Sequence, residues 1–232
     1  MRLFYSCLYI LSFLNLAAQE EIKTLESPII AVDSLYREDQ FYFGFTFNTL
    51  QNKPAQLSQN KFSTGFSAGF TRDMPVNKLR TVAIGTGLGF TYNNYIQNLG
   101  ITDNGTTRDY SIITNTDYST NRLSQLFIDV PIELRWRTST YTSYKFWRIY
   151  GGVKFSYLLY DRYVFNDGNN KTTVTSNPDF NKLQYGLYLA TGYNTFNLYA
   201  YYGLNPLFKT SQIDGEKNNM QSLNLGLIFY IL

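Results

Sequence analysis

From Gln40 to the carboxyl terminus the chain repeats one pattern: a large apolar or aromatic residue at every second position, with small or polar residues between. A period of two puts alternate side chains on opposite faces of an extended strand, whereas a helix needs its apolar residues three and four apart. Phe41, Phe43, Phe45 and Phe47 alternate with Tyr42, Gly44, Thr46 and Asn48. Phe62, Thr64, Phe66, Ala68 and Phe70 form the next run, then Val82, Ile84, Leu88, Phe90 and Tyr92. Five more runs follow at 126–136, 147–159, 183–193, 196–204 and 223–231. The last holds its period to the end of the sequence, with Leu223, Leu225, Leu227, Phe229 and Ile231 on one face. An apolar strand there has to be paired on both sides, since an open edge would aggregate.

The connections sort into two alternating kinds. Residues 73–79, 138–144 and 194–195 are short links, while 50–60, 96–121, 161–180 and 205–220 are long and polar. Asn104-Gly105, Asp167-Gly168 and Asp214-Gly215 supply turn formers in the long ones. Short turns on one side and long loops on the other describe a transmembrane barrel, the short side being periplasmic. The expected fold is therefore all-β: a closed antiparallel up-and-down transmembrane β-barrel of about eight strands. The terminal run becomes its closing strand, paired with the Phe41–Phe47 run, and a candidate recognition signal for the barrel-assembly machinery.

Alternation alone does not say which face meets lipid, because a soluble barrel points its apolar face inward. The second face decides. On a soluble exterior it would be dense in charge. Here it is Gly, Ser, Thr, Asn, Ala and Tyr, with charges gathered on the fourth and fifth runs. Charged residues are only 16% of the chain and aromatic ones 18%. The apolar face is therefore assigned to outer-membrane lipid. Tyr92, Trp136, Trp147, Tyr157, Tyr193 and Phe196 fall near strand ends on that face, as members of interfacial aromatic girdles would.

Residues 1–19 read as a signal peptide: Arg2, an apolar run from Leu3 to Leu16, then Ala17-Ala18-Gln19. Residues 20–39 read as a charged periplasmic leader and 40–232 as the barrel. Cys7 leaves with the signal peptide, so disulfides and thiolate metal sites are not expected in the mature chain. A formal charge of +3 without a Lys/Arg cluster argues against nucleic acid as a partner.

The inward face of the fourth and fifth runs carries Asp129, Glu133, Arg135, Arg137, Arg148 and Lys154. A hairpin symmetric about residues 138–144 sets Glu133 opposite Arg148 and Asp129 diagonal to Lys154. Avoidance of like charges supports that register over one that sets Arg135 against Arg148. The six form either an ion-pair network filling a narrow lumen or a charged constriction passing small solutes. No enzyme is expected. The chain has no histidine, so the usual base for a serine nucleophile is missing. Gly85-Thr86-Gly87-Leu88-Gly89 is a strand face, not a phosphate cradle. The acidic loop residues lack calcium-loop spacing, and neither cofactor nor metal is expected.

Phe41-Tyr-Phe-Gly-Phe45, Arg72-Asp-Met-Pro-Val76, Phe127-Ile-Asp-Val-Pro-Ile-Glu-Leu-Arg-Trp-Arg137 and Tyr202-Gly-Leu-Asn-Pro-Leu-Phe208 resemble the PorT-like family of small outer-membrane β-barrel proteins. The resemblance implies an eight-stranded barrel in the outer membrane of a gram-negative cell. For some members it also implies a part in type IX secretion or gliding. The expected function is a structural or accessory one, with a protein partner at the long loops or the leader. A small-solute, porin-like channel is the alternative.

Overall fold

The alternating runs form eight long strands: β1 (Gln40–Gln51), β2 (Thr64–Pro75), β3 (Val82–Ile96), β4 (Thr120–Arg137), β5 (Trp147–Asn166), β6 (Leu183–Tyr193), β7 (Phe196–Gly203) and β8 (Gln221–Ile231). This computed structural model describes residues 37–59, 61–105, 107–114, 118–139, 145–213 and 215–231. The signal-peptide reading and residues 20–36 of the leader lie outside them. Each strand pairs antiparallel with its neighbours in sequence. β8 pairs with β1 from Phe41↔Ile231 to Gln51↔Gln221, which closes the ring. The closing strand is thus where the alternation places it, and no edge is left in the eight-stranded barrel.

The apolar set points outward. Phe41, Phe43, Leu88, Ile132, Leu134, Trp147, Leu187 and Leu198 are all exposed, while Tyr42, Asp129, Arg135, Tyr150 and Tyr201 on the alternate positions are buried. In water such a surface would be unstable; a bilayer is the solvent it fits.

Strands β4 and β5 run for 18 and 20 residues. β5 runs past its last pairing with β6 at Tyr157↔Leu183 and stays paired with β4 up to Thr120↔Asn166, while β4 keeps β3 beside it as far as Arg122↔Ile96; a short strand, Lys171–Thr175, is added to the β5 edge. Two of the other long loops carry strands too. Leu99–Asp103 pairs with Arg108–Ile112, and Gln212–Ile213 with Glu216–Lys217. Gly105, Gly168 and Gly215 take positive φ of 83°, 92° and 83° at the turns of these loop ribbons. The long connections therefore differ from the polar loops of the sequence reading, because β-pairing continues past the end of the barrel.

The loops share a core. Leu57, Leu99, Ile101, Val174, Phe180, Leu207, Phe208, Ile213 and Met220, one or more from each long connection, pack with Leu50, Tyr95, Leu123, Phe127, Leu158 and Tyr163 of the strands beneath. Phe180 and Phe208 pack tilted at 33°, with ring centroids 4.6 Å apart. This cap lies over the long-loop mouth of the barrel.

Candidate functional site

Inside the barrel the side chains fall into three tiers. At the short-turn end Asp73 of β2 is the hub. Arg137 of β4 grips it with two bonds, Nη1 to Oδ1 and Nη2 to Oδ2, each 2.7 Å. Arg135 adds Nη1 to Asp73 Oδ1 at 3.2 Å and Nε to Glu133 Oε1 at 2.7 Å. All four residues are buried. Glu133 is completed by the Tyr188 hydroxyl, which donates to Oε2 at 2.5 Å.

This reach across strands depends on β3. Gly85 lies between Asp73 and Glu133 in the ladder. A Cβ there would stand 2.6 Å from Arg135 Nε and 2.9 Å from the Glu133 carboxylate. Only a bare backbone lets Arg135 cross β3 to the carboxylate on β2. The lead-in residues close the tier. Glu38 is buried, its backbone carbonyl accepts from Arg135 Nη1 at 3.2 Å, and Asp39 Oδ1 accepts from the Asp73 amide at 2.7 Å. Glu38 and Asp39, part of the leader in the sequence reading, are thus built into the barrel mouth.

The middle tier is aromatic. Tyr42, Tyr188, Tyr201 and Tyr230 are buried, with Tyr199 packed beside them, and buried Tyr150 joins them to the tier below, where it stands opposite Arg135. Lys154 Nζ lies 3.6 Å from Asp129 Oδ2 and 4.6 Å from the centre of the Tyr201 ring. Thr91 donates its hydroxyl to the same Asp129 oxygen. A cavity of about 20 Å³ lies among Tyr42, Asp129, Glu133, Lys154, Tyr188 and Tyr199. A second of about 10 Å³ lies on the other side of Lys154, among Asn93, Gln184, Tyr201 and Asn224. Spaces of that size suit single waters. The outer tier is the amides Asn48, Asn93, Gln125 and Asn224 beneath the loop cap, with Asn48 Nδ2 donating to Asn93 Oδ1 at 2.9 Å.

The six charges named from sequence all face inward and are buried. The expected hairpin register is corrected. Glu133 stands opposite Gly152, and Arg148 stands opposite Arg137, four residues from the expected pairing. Two guanidiniums face each other because Asp73 neutralises one from a different strand, while the other is covered by rings. Arg148 lies 4.5 Å from the Phe146 centroid and 5.3 Å from that of Tyr230. Asp129 is diagonal to Lys154 as expected, with Pro131 the residue opposite the lysine. Asp73 was assigned to a turn in the sequence reading. Extending the parity of Phe66, Ala68 and Phe70 by a few residues would have put it inward with Thr71.

The six girdle residues all point outward. Trp136, Trp147, Tyr193 and Phe196 gather near the short-turn rim, with Trp147 and Tyr193 paired and their rings 5.6 Å apart. Tyr92 and Tyr157 lie toward the long loops. Tyr160 joins them, and strict counting misses it. The register slips at Leu126/Phe127, so Leu158 pairs with Phe127 and Tyr160 with Leu126, leaving Leu159 as an extra residue. In the cap, Tyr110 donates its hydroxyl to Asp179 Oδ2 at 2.8 Å, and burial pushes its phenol pKa up.

The chain matches the family described as outer membrane protein beta-barrel domain over residues 17–209. It belongs to that family. This places the barrel in the outer membrane. No curated protein matches it. Among solved structures, this family member is similar to the attachment invasion locus protein Ail of Yersinia pestis, at 12% identity and TM-score 0.36, over 85% of this chain and 100% of Ail. It is also similar to a mutant porin of Rhodopseudomonas blastica, at 9% identity and TM-score 0.23, over 84% of this chain and 100% of the porin.

Proposed function

We propose that this is a non-conducting outer-membrane barrel with a structural or accessory role, whose loop cap recognises a protein partner. The filled lumen carries the reading. Charge-paired, aromatic and amide tiers follow one another along the axis, and the two cavities beside Lys154, of about 20 and 10 Å³, are water-sized. A solute path would need these tiers to separate, at the cost of unpairing buried charges. Purified protein in planar bilayers is expected to give no reproducible single-channel steps; regular steps would overturn the proposal in favour of a small-solute channel.

Export is assigned to residues 1–19 as a cleaved signal peptide, and insertion to the reading of β8 by the barrel-assembly machinery. The mature protein should start near Gln19 or Glu20 on amino-terminal sequencing, and an intact Met1 would remove the signal. The finer role, accessory to type IX secretion, rests on the PorT-like resemblance of the β4 sequence and its neighbours. Deleting the gene and comparing secreted proteins tests it, and an unaltered secretome would remove it.

A further inference from the structure

The outward face of β4 reads, from the short-turn rim upward, Trp136, Leu134, Ile132, Val130, Ile128, Leu126, Ser124 and Arg122. From Trp136 to Leu126 is about 33 Å of extended chain, or ~25 Å of height at a tilt of ~40°, the full depth of a barrel's apolar band. Beyond it the chemistry changes. The outward face of β5 passes from Tyr157 and Tyr160 to Arg162 at the same level, since Leu126 pairs with Tyr160 and Ser124 with Arg162. Arg122 stands opposite Val164, diagonal to Arg162, so the two guanidiniums are neighbours on one outer face. Both are exposed, and neither has a hydrogen bond or ion pair among the described residues. On β3, Asn94 accepts from the Ser124 hydroxyl at 3.3 Å, which adds a polar tier at the same boundary.

Two guanidiniums side by side with no ion pair among the described residues, at the height where an apolar belt ends, sit where headgroups would lie. Guanidinium forks match phosphate oxygens in geometry and charge. We propose that Arg122 and Arg162 form a docking site for the phosphorylated headgroup of an outer-leaflet lipid, its acyl chains lying along Leu126, Ile128, Tyr157 and Tyr160. The site rests on the orientation given above, with the long loops outside the cell. Binding there ties the protruding β4–β5 ribbon, and with it the cap, to the membrane surface.

The test is native mass spectrometry of the full mature protein in mild detergent, with added bis-phosphorylated lipid A or its dephosphorylated form. Wild type should retain the phosphorylated lipid and bind the dephosphorylated one roughly tenfold or more weakly. Arg122→Gln/Arg162→Gln should lose that preference, while Arg72→Gln, which removes an exposed outward cation near the short-turn end, should keep it. A preference surviving in the double variant, or no effect of dephosphorylation on wild type, would overturn the site. Orientation is read separately, in intact cells, from labelling of Asn169→Cys by a membrane-impermeant maleimide. No labelling there would remove the outer-leaflet assignment while leaving the detergent result to stand or fall alone.

Discussion

Asp73 accepts from two buried guanidiniums and stands against a third segment of chain at Glu38. Removing it leaves two cations in the lumen without their shared anion. Asp73→Ala is therefore expected to destabilise the barrel by ~3–5 kcal/mol. Glu133→Ala should cost less, because Arg135 keeps Asp73 and the Tyr150 ring at 4.7 Å. Urea unfolding midpoints in detergent, followed by tryptophan fluorescence, give the order, and equal midpoints for the two variants would refute the hub. Gly85 belongs to the same argument. Gly85→Ala should cost ~1–3 kcal/mol by overpacking, and the loss should shrink when Arg135 is also replaced by Met. The inward direction of the six named charges was legible from parity alone. Their partners were not, since cross-strand rules compare adjacent strands, and here the decisive contact jumps a strand over a glycine.

At the scale of elements, strand identity and facing were legible because each alternates cleanly against a bare or polar second face. What parity could not show was the slip at Leu126/Phe127, which turns both Leu159 and Tyr160 outward, or the ribbons built in the long connections. Those loops look polar in sequence because each contributes only a few apolar residues: Leu57, Leu99 and Ile101, Val174 and Phe180, and Leu207, Phe208 and Ile213 come from four separate connections and meet only in the folded cap. The cap is a second hydrophobic unit on top of a barrel whose own stability comes from lipid and closure. Phe208→Ala, at a fully buried position, should loosen it by ~3–5 kcal/mol. Trypsin should then cut at Lys171, Lys182 or Lys209, while the transmembrane part keeps its heat-modifiable migration on gels. Loss of heat modifiability would mean that cap and barrel unfold as one unit.

At the scale of the whole molecule, closure and filling are separate achievements. The β1–β8 seam satisfies the backbone that lipid cannot. The tiers then fill the space inside with different chemistry at each height: paired charge at the short-turn end, tyrosines in the middle, amides and an apolar cap at the other. If each tier blocks the axis on its own, as the proposed function requires, no single opening should produce a pore. Lys154 makes the sharpest case, because it lines both water-sized cavities. Replacing the ion pair as a unit, Lys154→Ala with Asp129→Asn, avoids a stranded carboxylate and joins the two spaces. The joined cavity remains closed below by the Asp73–Arg135–Arg137 cluster and above by the Phe180–Phe208 pair. The expected outcome is a folded barrel, heat-modifiable on gels, that still gives no current steps in a bilayer. Steps from this variant would show that the end tiers leak, and that Lys154 alone had been holding the channel shut.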